Sequence, residues 1–353
     1  MKKILLSLLI GLTIISCKDK NAGNNITVSG LEPAKFAYTN ENGKANKLYV
    51  LKNTAGMEVT VTNLGARIVS IMVPDKAGNM QNVIRGYDNI EPYMQLNDYK
   101  GAVLGRYAGR ISGGEIFIDR VRYDLRTNEN KTMLNGGPRG FSSQYFTIEQ
   151  SAANSLTCSY RSKSGEEGFP GTLETIVTYA LTEDNALVIT YEAIALDRST
   201  YVNLTNQLPF NLSGADATSN SGQSLFVDAS AYLEATSDRI PTGNFSPVKG
   251  TDFDFHELQP INAETTYDLT FVLNESGEKN NTVAKLVSET TGISLEIRTA
   301  EPGIYMMTTE NPATIILQPQ HFSDSPKHEH FPSTVVTPST AFKSSTVYKF
   351  GIQ

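Results

Sequence analysis

The segment Thr175-Ile176-Val177-Thr178-Tyr179 is followed by the polar run Thr182-Glu183-Asp184-Asn185 and then by Leu187-Val188-Ile189-Thr190-Tyr191. Runs rich in Val, Ile, Thr and Tyr that are bounded by Asp and Asn are typical of strands joined by a turn. Asp and Asn favour the turn because their side chains hydrogen-bond to nearby backbone groups. Residues 174–191 therefore predict a β-hairpin.

The same pattern recurs along the chain. Residues 293–298 alternate apolar and polar side chains, and with residues 283–287 and a turn at 289–292 they predict a second hairpin. Residues 57–62 and 66–72 flank Asn63-Leu64-Gly65, and a further turn follows at residues 75–79. Many short strands separated by turn residues favour an all-β sandwich or barrel.

Helical periodicity is weak throughout. After the N-terminal apolar run, no segment carries a sustained apolar stripe at helical spacing, and residues 90–96 predict at most one or two helical turns. No repeat of fixed length indicates a propeller or solenoid. Composition does not change from about residue 31 to the C-terminus, which favours one large domain over residues 31–353.

The composition excludes several classes of protein. The chain has 353 residues, 30 Lys and Arg against 37 Asp and Glu, a formal net charge of −7 and 39% hydrophobic residues. This hydrophobic content is too high for a disordered chain, and the charge is too acidic for a nucleic-acid binder. Glycine-rich nucleotide-binding motifs and the Gly-x-Ser-x-Gly elbow are missing from the sequence. The sequence therefore predicts no nucleic-acid partner and no cofactor.

The N-terminus has the features of an export signal. Lys2 and Lys3 precede an uncharged, largely apolar run over residues 4–15, and Ser16 and Cys17 follow. Ile14-Ile15-Ser16-Cys17 resembles the lipobox of bacterial lipoproteins, in which the cysteine becomes a lipidated N-terminus. The predictions are a signal peptide over residues 1–17, a flexible tether over 18–30 and a lipid-anchored protein in the bacterial cell envelope. A plain signal peptide with a chance cysteine is the alternative.

Two further groups of residues have ordinary structural interpretations. Cys158 lies in the alternating run 156–160, which predicts a buried strand thiol. His328 and His330 lie between two prolines in a predicted exposed turn, and two imidazoles are too few for a zinc site. Asp252, Asp254 and Glu257 do not have the spacing of a calcium loop. The sequence therefore predicts no metal.

Several turn-rich strings together resemble the aldose 1-epimerase (galactose mutarotase) family, in the order and spacing of that family and over about residues 45–350. They are residues 105–111 (GRYAGRI), 134–141 (LNGGPRGF), 165–171 (GEEGFPG), 202–212 (VNLTNQLPFNL), 240–243 (IPTG), 247–251 (PVKGT), 301–303 (EPG) and 317–326 (LQPQHFSDSP). The resemblance implies a β-supersandwich whose open cleft binds a hexose and interconverts its α and β anomers. In that reaction one group removes the proton of the anomeric hydroxyl and another protonates the ring oxygen.

The resemblance also assigns roles to positions, and this chain departs from several of them. The family base is a Glu, for which this chain has Gln318, and the family acid is a His, for which it has Gln207. Asn135 replaces a sugar-binding His, whereas the sugar-binding residues Arg110 and Asp268 are retained. An amide has no proton to exchange near neutral pH. The resemblance therefore predicts a sugar cleft with impaired acid and base chemistry.

Three hypotheses about activity remain open at this stage. In the first hypothesis the protein is an active epimerase whose acid and base are other side chains. The candidates are His321, Tyr305, Glu310 and Asp268. Alternatively, the protein is a non-catalytic carbohydrate-binding lipoprotein that holds a monosaccharide or oligosaccharide at the envelope. In the third hypothesis the pocket has decayed and the surface binds another protein.

Overall fold

The computed structural model describes residues 27–95, 98–262, 264–274, 281–311 and 313–353. The predicted signal peptide over residues 1–17, its Cys17 and residues 18–26 of the predicted tether lie outside the described residues. Within these residues two short helices occur, α1 (Pro33–Phe36) and α2 (Glu91–Gln95), and four 3₁₀ turns lie at Ser112–Gly114, Phe141–Ser143, Glu166–Gly168 and Ser325–Lys327. In the described part of the chain no helix has the length and apolar character needed to span a bilayer.

The rest of the regular structure is β-strand. Numbered in chain order, the strands are β1 (Tyr38–Thr39), β2 (Ala45–Asn46), β3 (Leu48–Lys52), β4 (Glu58–Thr62), β5 (Arg67–Pro74), β6 (Met80–Asn82), β7 (Val103–Leu104), β8 (Arg110–Ile111), β9 (Glu115–Ile118), β10 (Val121–Asp124), β11 (Met133–Leu134), β12 (Thr147–Ala152), β13 (Ser155–Ser162), β14 (Leu173–Leu181), β15 (Ala186–Ala195), β16 (Thr200–Tyr201), β17 (Thr205–Asn206), β18 (Pro209–Phe210), β19 (Gln223–Val227), β20 (Ala229–Ala235), β21 (Pro241–Pro247), β22 (Gln259–Pro260), β23 (Asp268–Leu273), β24 (Ala284–Ser288), β25 (Ile293–Thr299), β26 (Gly303–Glu310), β27 (Ala313–Gln320), β28 (Val335–Val336) and β29 (Phe342–Ile352).

Three larger antiparallel sheets contain most of these strands. The first sheet has the order β12-β13-β14-β15-β29-β25-β24-β19-β22, the second β18-β27-β26-β23-β20-β21 and the third β3-β4-β5-β6. One apolar core joins all three, with members such as Val59 of β4, Val177 of β14 and Leu317 of β27. Because this core is continuous, the sheets form one large domain, and the predicted all-β class is confirmed.

The hairpins predicted from the sequence are present. Residues 174–191 form β14 and β15, with Val177 opposite Tyr191, and the other two predictions correspond to β24–β25 and β4–β5. The short helix predicted over residues 90–96 is α2, whereas α1 was not predicted. Cys158 is fully buried in β13, as predicted, and burial raises the pKa of its thiol.

The segment before β1 packs on the third sheet. Thr27 is buried, and the backbone N–H of Val28 donates to Oε1 of Glu58 at 2.7 Å. Leu31 and Phe36 belong to a small apolar cluster that also contains α2 residues. Residues 27–30, which the sequence places in the flexible tether, are therefore part of the folded domain, because buried contacts fix their backbone.

Candidate functional site

A cavity of about 490 Å³ lies on the face of the second sheet that points away from the core. Side chains alternate between the two faces of a strand. In β26, Tyr305 and Met307 border the cavity and Met306 enters the core. In β27, Gln318 borders the cavity and Leu317 enters the core. The alternation of the β26–β27 hairpin thus determines which side chains a ligand would meet.

Four of the five site residues predicted from the sequence border this one cavity. Gln318 is in β27, Gln207 lies between β17 and β18, Arg110 opens β8, and Asn135 follows β11. Four separate parts of the chain contribute these side chains. The fifth, Asp268, is not among the lining residues.

Gln318 is 2% exposed and makes one side-chain hydrogen bond. Its Nε2 donates to Oε1 of Gln320 at 2.6 Å, and Gln320 borders the same cavity. Oε1 of Gln318 is buried and has no partner among the described residues. Tyr305 lies directly opposite Gln318 on the neighbouring strand. This wall therefore presents amides and a phenol to the cavity and no carboxylate.

Arg110 is held by a carboxylate that the sequence analysis missed. Its Nε lies 2.6 Å and its Nη2 2.9 Å from the two oxygens of Glu129. Such two-point pairing fixes the plane of the guanidinium. Burial acts to lower the pKa of Arg110, but the hydrogen bond and charge of Glu129 outweigh it and raise the pKa. The hydrogen bond from Arg110 in turn lowers the pKa of Glu129.

Asp268 lies beside the cavity, directly opposite the lining residue Met307 on the neighbouring strand, and contacts two residues of the lining. The hydroxyl of Tyr305 donates to its Oδ1 at 2.7 Å, and Nε of Arg239 lies 2.6 Å from its Oδ2. Both carboxylate oxygens are thus engaged. Burial, with the charge of Asp268 as the next cause, raises the pKa of Tyr305.

A charged group forms another part of the cavity. Nζ of Lys100 lies 2.7 Å from Oδ2 of Asp98, and both residues border the cavity. The hydroxyl of Tyr87 donates to the same oxygen at 2.7 Å, and buried Arg67 lies 3.6 Å from Oδ1. Burial acts to lower the pKa of Lys100, but the contact with Asp98 raises it overall.

Asn135 fixes the turn that carries Arg110. Its side-chain oxygen accepts from the N–H of Gly109 at 2.9 Å, and its own N–H donates to the Gly109 carbonyl at 2.9 Å. Gly109 has a φ of +81°, and a Cβ at this position would lie 2.2 Å from Oγ of Ser323. Only glycine fits here without movement of Ser323.

Two of the proposed substitute acids and bases lie elsewhere. The ring of His321 contacts buried Glu301, with Nδ1 2.6 Å from Oε2, and it is not among the residues that border the cavity. Glu310 is exposed at the end of β26 and borders a different groove. Of the four candidates, only Tyr305 borders the cavity.

The structure does not support metal binding by the histidines and carboxylates considered in the sequence. Nε2 of His330 contacts the carbonyl oxygen of Gly243 at 2.8 Å, and the ring of His328 packs on Phe331. Within the described ranges no three His, Cys, Asp or Glu side chains converge as a metal site would require.

The sequence pattern of the family described as aldose 1-epimerase matches residues 47–349. The chain belongs to the aldose 1-epimerase family. It is 32% identical to galactose mutarotase of Rattus norvegicus over 84% of this chain and 92% of that protein. It is 29% identical to aldose 1-epimerase of Escherichia coli over 87% of this chain and 96% of that protein.

Solved structures agree with this family assignment. The crystal structure of an aldose epimerase homologue from C. elegans has a TM-score of 0.81 and 26% identity, covering 87% of this chain and 99% of that one. Galactose 1-epimerase from Lactobacillus acidophilus, at 22% identity, has the same fold with a TM-score of 0.78. The galactose mutarotase-like fold predicted from the sequence is confirmed. Membership of the aldose 1-epimerase family supports a mutarotase-type function on sugars.

Proposed function

We propose that this member of the aldose 1-epimerase family binds a hexose in the cavity of the second sheet and interconverts its anomers poorly. In this proposal Gln318 and Gln207 occupy the positions of the family base and acid. Arg110 and Asn135 contact the sugar, and Asp268 acts through the side chains that it holds.

The observation that carries the proposal is the chemistry of the wall. Asn135, Gln207 and Gln318 border one cavity, and an amide donates and accepts hydrogen bonds without exchanging a proton near neutral pH. Loss of one positioned acid or base costs a factor of about 10²–10⁴ in rate. Amides at both positions therefore leave little of the family mechanism.

Glu129 and Tyr305 of the lining are poor substitutes for the acid and the base. Hydrogen bonding to Arg110 lowers the pKa of Glu129, so this carboxylate is a weak base. Burial raises the pKa of Tyr305, so its hydroxyl holds its proton more tightly. None of the four histidines of the chain borders the cavity. These shifts move both groups away from neutrality, where general acid and base catalysis is most effective.

The same wall suits hydroxyl groups. A buried acceptor without a partner, such as Oε1 of Gln318, costs about 1–3 kcal/mol. A sugar hydroxyl that donates to this oxygen would remove that cost. Arg110, fixed by Glu129, adds donors of defined direction. The proposal is therefore that the cavity binds a polyhydroxylated ring but interconverts its anomers poorly.

Calorimetric titration tests the binding half of the proposal. The panel consists of monosaccharide aldoses, both neutral hexoses and hexuronates, and saturable binding of at least one is expected. Gln318→Leu should weaken that binding at least tenfold, whereas Gln150→Leu, an exposed position in β12 outside the cavity, should not. Absence of saturable binding across the panel would refute the proposed function and favour a decayed pocket.

The cellular location is a separate proposal. Residues 1–17 predict export and lipidation at Cys17, which would make the protein an envelope lipoprotein whose role is to hold a saccharide. Metabolic labelling with a radioactive fatty acid tests this in the source cell. The wild-type protein should carry label and Cys17→Ala should not. An unlabelled, freely released wild-type protein would favour the plain signal peptide.

A further inference from the structure

The cavity is less acidic than the protein as a whole. The cationic side chains Lys100, Arg110 and Arg239 border it, against the anionic Asp98 and Glu129. The whole chain carries a formal net charge of −7. Asp268 pairs with Arg239, so the charges in and beside the cavity nearly balance, in contrast to the acidic chain as a whole.

The two arginines of the lining are not equally engaged. Arg110 is 9% exposed at its side chain and uses Nε and Nη2 on both oxygens of Glu129. Arg239 is 55% exposed, and its ion pair with Asp268 is made through Nε. Within the described ranges Asp268 is the one carboxylate within ion-pair distance of Arg239. The Nη1–Nη2 edge of Arg239 is therefore the free edge of a planar fork that binds carboxylates at two points.

Arg239 is also held in position. It lies in the β20–β21 turn with a φ of +61°, and its partner Asp268 is fixed by the hydroxyl of Tyr305 at 2.7 Å. The same side chain borders both the main cavity and the groove beside Glu129. A guanidinium fixed at this boundary can pair with a charged substituent of a sugar whose ring contacts the amides of the cavity wall.

The neutral wall opposite this arginine is consistent with an anionic ligand. Gln318 and Gln207 carry no charge, and a carboxylate at position 318 would repel a ligand carboxylate in the same cavity. Two like charges a few ångströms apart in a partly buried site cost more than in water, because screening is weaker there.

We propose that the saccharide taken by this cavity is acidic, a hexuronate, and that its carboxylate pairs with the Nη1–Nη2 edge of Arg239. This inference rests on the proposed function and adds the class of sugar. Asp268 is in this account a positioning residue, which holds Arg239 from its Nε edge.

Parallel titrations of the whole protein with acidic and neutral sugars test the inference. Calorimetry compares D-galacturonate with D-galactose, and D-glucuronate with D-glucose, at the same pH and ionic strength. The hexuronate of at least one pair should bind about tenfold more tightly, since a two-point charged contact is gained, and the preference should shrink as salt rises. Arg239→Gln should abolish the preference. Lys131→Gln, which removes a positive charge from the adjacent groove outside the cavity, should keep it.

Asp268→Asn gives an independent readout of the positioning role. It removes the charge that holds Arg239 at Nε and leaves an amide oxygen for Tyr305, so the preference for the hexuronate over the neutral hexose should shrink severalfold although Arg239 is still present. Equal affinity for neutral and acidic sugars, or a preference that survives Arg239→Gln, would overturn the inference and leave the proposed function standing. Tighter binding of glucose 6-phosphate than of both hexuronates would also overturn it. Failure of every sugar to bind would instead overturn the proposed function itself.

Discussion

Nε2 of Gln318 donates to Oε1 of Gln320 at 2.6 Å, and both side chains border the same cavity of this aldose 1-epimerase family member. Two amides that hydrogen-bond to each other satisfy part of their own polarity without a charge. A glutamate at position 318 would still have a hydrogen-bond partner, because Gln320 could rotate its amide and donate to the carboxylate. The wall can therefore accommodate either Gln or Glu at position 318.

Placing at positions 318 and 207 the residues that the family resemblance implies should raise the rate of anomer interconversion. Gln318→Glu supplies a base and Gln207→His an acid, and the two protons move in one catalytic cycle. The double variant should exceed the wild type by about 10²-fold or more, and should exceed the product of the effects of the single variants. Polarimetry of freshly dissolved α-D-galactose measures this.

The matched control for that experiment is Gln150→Glu with Gln144→His, two positions outside the cavity. It should leave the rate unchanged. A double variant no faster than the wild type would indicate that the cavity no longer places a sugar between positions 207 and 318.

Gly109 cannot take a side chain without movement of its neighbour. A Cβ here would lie 2.2 Å from Oγ of Ser323. Gly109→Asn should therefore destabilise the protein by about 1–3 kcal/mol, the usual cost of overpacking. Ser323→Ala removes the clashing oxygen and should recover most of that loss, as measured by urea denaturation.

Gly78→Asn is the control that separates the steric clash at position 109 from the conformational cost of placing Asn at a positive φ. Gly78 has a φ of +84°, similar to that of Gly109, with nothing within 4 Å of an added Cβ. Because Asn tolerates positive φ, this variant should lose clearly less stability than Gly109→Asn. Equal losses at the two positions would contradict the steric explanation.

The pH dependence of sugar binding should follow the pair of Arg110 and Glu129. The hydrogen bond from Arg110 lowers the pKa of Glu129 below its ordinary value of 4.5. A lowered pKa means that the carboxylate is charged above that value, and that the pair is lost as pH falls through the lowered pKa. Affinity for a neutral hexose should be constant from about pH 5 to 8 and fall only in stronger acid.

Glu129→Gln provides the test of that assignment. The variant should bind the hexose severalfold more weakly at pH 7, because Arg110 loses its charged partner, and the decrease in acid should be smaller. A decrease of the same size in the variant would contradict the assignment of the acid titration to Glu129.

Arg106 should contribute strongly to the free energy of unfolding. It is 2% exposed, and its guanidinium donates to the carbonyl oxygens of Ser162, Lys163, Pro170 and Gly171. Burial lowers its pKa to about 10, so it is charged at neutral pH. Arg106→Met leaves these buried acceptors unpaired and should cost about 3–5 kcal/mol in the free energy of unfolding. Arg122→Met, at an exposed position, should change it by less than about 0.5 kcal/mol.

The fold was largely predictable because local patterns specify it. The alternation in residues 174–191 and the turn at 182–185 predict β14 and β15 without tertiary information. Helix α1 was missed because it is a single turn that begins at Pro33 and is fixed by packing of Phe36. Residues 27–30 were assigned to a tether because their polar composition does not reveal that Val28 bonds to Glu58.

The site was predictable only where the family strings contain it. Gln318, Gln207, Arg110 and Asn135 lie in such strings, and all four border the cavity. Glu129 and Lys100 were missed because they lie outside the quoted strings and reach Arg110 and Asp98 only in the folded chain. The contact between Asp268 and Arg239 depends on pairing between strands and on a turn conformation, which sequence spacing does not reveal.

Polarimetry of the wild-type protein tests the central claim most directly. Purified protein is added to freshly dissolved α-D-galactose and to α-D-galacturonate, with the E. coli aldose 1-epimerase as the active reference. We predict rates close to those of the uncatalysed reaction for both sugars, at protein concentrations where calorimetry detects binding. A catalysed rate comparable to that of the reference enzyme would contradict the claim that amides at positions 207 and 318 have removed the acid and base chemistry.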